Sequence, residues 1–207
     1  MIAVIDYGVG NLKSVENALK KQGADVIITD QADAILAADG VLLPGVGHFA
    51  HGMHCLKKSK LDQVIWQVVD QGTPLLGICL GLQLLFEKSA EAPDVSGMGI
   101  LKGEILKIPD KTDLKVPHVG WNSLNFLGKS KLFQGFSQNP YVYFVHSYYL
   151  QAKDTSLVTA TTEYGVTIQA AVADERRKVY ACQFHPEKSG LVGLQMLKNF
   201  ILIAESD

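Results

Sequence analysis

PLLGICLGLQLLF, Pro74 to Phe86, sets a thiol in the middle of an apolar run, with Gly77 and Gly81 each two residues from Cys79. Leucine would pack better at the centre, and each glycine costs backbone entropy. The pattern is explained if a strand, Leu75–Ile78, runs straight into Cys79 and a helix, Leu80–Phe86, starts directly after it. G-x-C-x-G then has the shape of the G-x-S-x-G nucleophile elbow, a sharp strand-to-helix turn whose strained central residue needs small neighbours on both sides. Such a turn lifts the sulfur toward the carboxyl ends of the strands. It also places the thiol at a helix N-terminus, where the dipole favours thiolate. The backbone N–H of Leu80, expected to be unpaired in the first helical turn, is free to face an oxyanion. The competing reading is a buried cysteine between two helix-breaking glycines.

Outward from the elbow, short β-branched runs alternate with amphipathic stretches. Ile2 to Asp6, Val26 to Thr29 and Val41 to Leu43 read as strands. Asn11 to Gln22 reads as a helix stopped by Gly23, and Leu61 to Asp70 as a second one before Gly72. Strand, helix, strand in this order predicts an α/β fold with a largely parallel central sheet flanked by helices. After about residue 97 the character changes. ILKGEILKI, NPYVYFVHSYYL, SLVTATTEY, VTIQAAVA and KVYACQF read as antiparallel or mixed strands extending the same core, closed by a helix from Leu191 to Ala204. With 207 residues and no linker or repeat, a single domain spanning 1–207 is expected.

Composition removes several classes of function. The net charge is −2 and the 19 Lys and Arg are dispersed, which disfavours a nucleic-acid partner. No apolar stretch approaches a membrane span, and MIAVIDYGVG has no basic flank before its apolar residues, so a soluble cytoplasmic protein without membrane contact is expected. Three cysteines, Cys55, Cys79 and Cys182, suit neither a disulfide framework nor zinc. Cys55 and Cys182 read as small packing residues. Gly8-Val9-Gly10 lacks the third glycine of a dinucleotide fingerprint, Lys13 standing in its place, and reads as a tight turn. His48, His51 and His54 follow Pro44-Gly45-Val46-Gly47 with no carboxylate at ligand spacing, and read as solvated loop histidines. No metal or organic cofactor is expected.

A cysteine nucleophile needs a base, and the base an orienting group. QFHPEKSG supplies both: His185 and Glu187 are two apart at the end of a strand-like run, so an extended backbone would point them the same way. Pro186 biases His185 toward that conformation. A carboxylate beside an imidazole fixes its tautomer and stabilises the imidazolium. Alone, H-P-E is more often a turn.

GICLG with Gln83, followed late in the chain by FHPEKSG, resembles the class I (triad) glutamine amidotransferases over essentially the whole chain. DYGVGNLKS, LPGVGHF, VPHVGWNSL and YFVHSYY are similar to one branch of that family, the glutaminase subunits of imidazole glycerol phosphate synthases. The resemblance implies a Cys79, His185, Glu187 triad that hydrolyses L-glutamine through a thioester. Its oxyanion would be held by Leu80 and by Val46 and Gly47, and Gln83, Ser147 and Tyr148 would line the glutamine pocket. It further implies a (β/α)₈-barrel cyclase as heterodimeric partner, with Asn11, Trp121 and Lys188 at the interface, Trp121 exposed by a turn. Two alternatives stay open at this point: the glutaminase subunit of another synthase, such as that of pyridoxal phosphate synthesis, or a non-catalytic binding subunit of the same fold.

Overall fold

Apolar runs of four residues, each buried along its whole length, build the middle of the molecule: β1 (Ile2–Ile5), β3 (Gly40–Leu43) and β4 (Leu75–Ile78). With β2 (Val26–Thr29) they pair in parallel, and α1 (Leu12–Lys21), α2 (Ala32–Leu36), α3 (Phe49–Lys58) and α4 (Leu61–Asp70) make the connections. The computed structural model describes residues 1–112 and 114–206. The remaining elements are α5 (Leu80–Leu84), β5 (Lys88–Ser89), β6 (Gly103–Lys107), β7 (His118–Ser123), β8 (Asn125–Phe126), β9 (Tyr141–His146), β10 (Tyr148–Ala152), β11 (Val158–Glu163), β12 (Thr167–Asp174), β13 (Val179–Cys182) and α6 (Gly190–Ala204).

The main sheet has eight strands in the order β2-β1-β3-β4-β13-β12-β11-β8. β13 lies parallel beside β4, and β12, β11 and β8 continue antiparallel from it. One face is covered by α1 and α6, which put Val15, Leu19, Met196 and Phe200 against Val4, Leu42 and Leu76. The other face is covered by α3, α4 and α5. On α4 the buried residues Leu61, Val64, Ile65, Val68 and Val69 recur at helical spacing and form one apolar stripe. Gly23, at φ 89°, ends α1 as expected, since only glycine enters that conformation without a steric cost.

Two expectations need correction. The run NPYVYFVHSYYL is not one strand, and it does not extend the main sheet. It breaks at Ser147, where β9 pairs with β7 in a two-stranded ribbon and β10 pairs with β6 in a three-stranded sheet. Alternation specifies which face a residue takes but not which strand it pairs with, so a change of partner within one apolar run leaves no trace in the pattern. The helix after Cys79 ends at Leu84 and closes with tighter i to i+3 bonds from Leu85 and Phe86, so its dipole is that of little more than one turn.

The parallel strands point their carboxyl ends to one edge, and the segments leaving β1, β3, β4 and β13 meet there, the position where open α/β sheets place their sites. The contact that holds these segments together is the elbow. A Cβ on Gly81 would overlap the carbonyl oxygen of Leu43 at the end of β3, and a Cβ on Gly77 would lie 2.9 Å from the carbonyl oxygen of Gly81. Both obstacles are backbone and cannot swing aside. Gly81→Ala is therefore expected to cost at least ~2–3 kcal/mol in chemical denaturation, whereas Gly128→Ala, with no atom within 4 Å of the new methyl, should stay within ~0.5 kcal/mol.

Candidate active site

Cys79 occupies the corner between β4 and α5 with φ 55° and ψ −107°, a conformation costly for any residue with a side chain. Its own backbone is tied on both sides: its N–H donates to Cys182 O at 2.8 Å and its carbonyl accepts from Gln83 N at 3.3 Å. The thiol lines a cavity of about 470 Å³ together with Gly47, Gln83, Tyr148 and His185. A larger hollow of about 590 Å³ lies by Phe126, Phe133 and Lys131, and neither cysteine nor histidine lines it.

His185 reaches the same cavity from the segment after β13. It has an extended backbone, but the following residues Pro186–Lys188 form a 3-10 turn. The expectation that His185 and Glu187 share the face of an extended strand is thus incorrect. The turn brings Glu187 back beneath the ring, where His185 Nδ1 donates to Glu187 Oε1 at 2.8 Å. Both side chains are nearly sealed, at 3% and 2% exposure. Burial alone would hold the imidazole neutral, yet the sulfur of Cys79 and the carboxylate of Glu187 together outweigh it and carry its pKa up to about 9. His185 Nε2, the other ring nitrogen, is enclosed and forms no hydrogen bond of regular geometry. The site therefore favours an imidazolium beside the sulfur at neutral pH.

The Pro44–Gly47 segment, after β3, forms another wall. Val46 and Gly47 line the cavity, Val46 is exposed and Gly47 has φ 99°. Leu80 N–H is not free as anticipated: it donates to Gly45 O at 3.3 Å, so a carbonyl of this segment occupies the place an oxyanion would take. A peptide plane carries its C=O and the following N–H on opposite edges. Rotation of the Gly45–Val46 peptide would withdraw the oxygen and turn the Val46 N–H toward the sulfur.

Gln83, Ser147 and Tyr148 also line the cavity. Gln83 Nε2 donates to Tyr148 O at 3.2 Å and to Gln183 Oε1 at 3.1 Å, which leaves its Oε1, an acceptor, for a ligand. Three residues of this region were missed in the sequence. Glu91 lines the cavity, accepts from Phe49 N–H at 2.7 Å and lies 3.1 Å from His48 Nδ1. In EKSAEAPD nothing distinguishes it from other acids. His146 and His118 form a buried pair: His146 Nδ1 donates to Tyr148 O at 2.8 Å, which obliges His118 Nδ1 to donate to His146 Nε2 at 3.1 Å. Burial pushes His118 down to about 4 and His146 to about 3, so both are neutral.

The remaining calls separate. His48 caps α3, and His51 and His54 lie on that helix and not in a loop; among the described residues no group of three or more His, Cys, Asp or Glu is arranged for a metal. Cys182 is fully buried and donates to Phe184 O, while Cys55 is half-buried near His51. Trp121 is 55% exposed, but it stands mid-strand in β7 opposite Tyr143 and not in a turn. Lys188 is exposed with Nζ 6.0 Å from the Tyr143 ring, and Asn11 is exposed at the N-terminus of α1. Trp121, Tyr143 and Lys188 therefore share a patch beside the cavity, with Val119 further along the ribbon.

Comparison with known proteins agrees with this geometry. The chain matches the family glutamine amidotransferase class-I over residues 3–204. It is 48% identical over 206 residues to the imidazole glycerol phosphate synthase subunit HisH of Bacillus cereus (strain B4264), covering 100% of this chain and 96% of the relative. Its identity to the same subunit of Thermosynechococcus vestitus (strain NIES-2133 / IAM M-273 / BP-1) is also 48%, covering 99% and 97%. Among solved structures, a glutamine amidotransferase superposes with TM-score 0.77 at 16% identity, covering 100% of both chains. The acivicin-bound glutaminase domain of Trypanosoma brucei CTPS gives 0.71 at 17% identity, covering 98% of this chain and 92% of that one. These two share the fold. The chain belongs to the class I glutamine amidotransferase family and, within it, to the HisH subunits of imidazole glycerol phosphate synthase.

Proposed function

We propose that the whole chain, 1–207, acts as one glutaminase domain in which Cys79, His185 and Glu187 hydrolyse L-glutamine to glutamate and ammonia. The observation that carries this reading is the strained elbow of Cys79 sharing a cavity with an imidazole held at 2.8 Å by a sealed carboxylate. Cys79 attacks the side-chain amide carbon of glutamine. The imidazolium of His185 protonates the departing ammonia, and the neutral ring then takes a proton from the water that cleaves the glutamyl thioester. Glu187 keeps Nδ1 protonated throughout, so that Nε2 does the proton transfer. Glu91, a carboxylate on the wall, provides a counter-charge for the α-ammonium of glutamine, and Gln83 Oε1 accepts from the substrate. Ser147 and Tyr148 close the pocket.

The oxyanion is held by Leu80 and by Val46 and Gly47 only once the Gly45 carbonyl has left Leu80 N–H. The structure thus corresponds to a resting form, and a partner that turns the Gly45–Val46 peptide would activate the enzyme. That partner is proposed to be a (β/α)₈-barrel cyclase, bound as a heterodimer through Trp121, Lys188 and Asn11, which consumes the ammonia to make imidazole glycerol phosphate and an aminoimidazole carboxamide ribotide. An exposed indole at the centre of an apolar patch is a typical interface anchor. Among the described residues no helix is long and apolar enough to cross a membrane, and a cytoplasmic location is proposed.

Cys79→Ala should abolish glutamine-dependent product formation while leaving ammonia-dependent synthesis by the partner intact; glutaminase activity in this variant would refute the nucleophile. Because His185 titrates at about 9 and is needed as imidazolium, kcat/KM for glutamine should decline as pH rises through that value. Glu187→Gln removes one of the two groups that raise the imidazole, so turnover should drop by orders of magnitude and the alkaline decline should move to lower pH. Glutamate release by the chain alone should rise on adding the barrel and its nucleotide ligand by roughly 10²- to 10³-fold, the worth of one oxyanion donor. Trp121→Ala should weaken that association, measured by titration calorimetry, and equal rates with and without the partner would rule out the resting form.

A further inference from the structure

Gln183 lies between His185 and the end of β13 and is completely buried. A buried amide must have its hydrogen bonds satisfied or pay for their loss, and the partners of Gln183 define which way it points. Its backbone N–H donates to Ala170 O at 2.8 Å, which pins the main chain to β12. Its side chain lies between Gln83 Nε2, 3.1 Å from Gln183 Oε1, and Cys79 Sγ, 3.7 Å from Gln183 Nε2.

The orientation follows from a backbone carbonyl. Tyr148 O accepts only, so the Gln83 group 3.2 Å from it must be the NH₂ end. The second hydrogen of that NH₂ then meets Gln183, which must present Oε1. The other end of Gln183, the NH₂, is left facing sulfur. Tyr148 O is itself held by His146 Nδ1 at 2.8 Å, and His146 by His118, whose Nε2 lies 3.4 Å from Asn122 Nδ2. The neutral histidines act as fixed donors along a chain that starts on β7 and ends at the nucleophile.

We infer that Gln183 is a positioning residue for the glutaminase reaction, its side-chain amide donating to Cys79 Sγ and holding the thiolate in line for attack. This rests on the reading of Cys79 as nucleophile. A donor aimed at a thiolate from within the buried interior stabilises it more than the same donor in solvent, and it favours the orientation of the sulfur that keeps this contact. His185 supplies the proton acceptor; Gln183 supplies a neutral donor that never titrates. The groups that titrate around this sulfur are His185 in the segment after β13, Tyr7 after β1 and Cys182 at the end of β13, and Glu187 acts on it through His185.

Gln183→Glu is the first test: it retains an acceptor for Gln83 but replaces the donor toward sulfur with a carboxylate, so its shift combines loss of the donor with an added charge that the neutral Gln183→Met lacks. In the full-length protein, alkylation of Cys79 by iodoacetamide, followed by mass spectrometry of its peptide across pH, should shift to higher pH. Glutamine-dependent kcat with the partner present should fall ~10- to 100-fold, with KM little changed. Gln183→Met, which has nearly the same shape and no donor, should shift the alkylation profile in the same direction. A melting temperature close to that of the parent shows that each variant is folded. Superimposable alkylation profiles in the folded variants, or a loss of turnover with an unchanged profile, would overturn the assignment and leave Gln183 a packing residue. Cys79→Ala run in parallel separates the two claims: its retention of activity would defeat the nucleophile itself, while its inactivity alongside an unshifted Gln183 variant would defeat only this inference.

Discussion

The close approach of α5 to the end of β3 is the constraint on which the site depends. Gly81 sits against the carbonyl oxygen of Leu43 with no room for a methyl group, and that contact presses the first turn of α5 over the sheet. Cys79 is forced into a positive φ because it is the single residue between the end of β4 and the start of α5. The strain is supported by the hydrogen bonds of Cys79 to Cys182 and Gln83 and by the fully buried β4 beneath it. Strained residues of this kind persist only where the surroundings over-determine them. The same contact places Leu80 N–H beside the Pro44–Gly47 segment, where it donates to Gly45 O.

Three buried histidines near the site show how environment divides one residue type between structure and chemistry. All three lose solvation. For His146 and His118 no acid partner offsets the loss, and their pKa values fall to about 3 and 4. They remain neutral across the physiological range and serve as donors of fixed direction, with His118 stacked between Tyr164 and Phe144. His185 has a carboxylate on one side and a sulfur on the other and is carried up to about 9. What distinguishes His185 from its neighbours is the sulfur of Cys79 on one side and the carboxylate of Glu187 on the other, the latter placed by a 3-10 turn.

In the proposed reaction, a nucleophile that acted without its partner would hydrolyse glutamine wastefully. The carbonyl of Gly45 rests on Leu80 N–H, the amide that the proposed oxyanion would need. Rotating the Gly45–Val46 peptide would lift that contact, and Gly45, without a side chain, tolerates the change of ψ. Val46 and Lys188 line the same cavity, and Lys188 lies by Tyr143, the partner of Trp121 across the ribbon, so the exposed patch and this segment adjoin one site.

The sequence by itself determined the elbow, the parallel half of the sheet and the family, because each is written in local spacing: small residues around a cysteine, apolar runs at strand and helix periods, a proline and a carboxylate after a histidine. It also named Gln83, Ser147 and Tyr148 through resemblance alone. Only the tertiary structure decided which strands the second half pairs with, since pleat alternation carries no information about partners. It alone placed Glu91 on the cavity wall and joined Gln183 to the sulfur, because these depend on contacts between residues far apart in the chain. The state of Leu80 N–H was decided there too: a helix start predicts a free donor, and whether a distant carbonyl takes it up is a matter of how β3 and β4 end side by side.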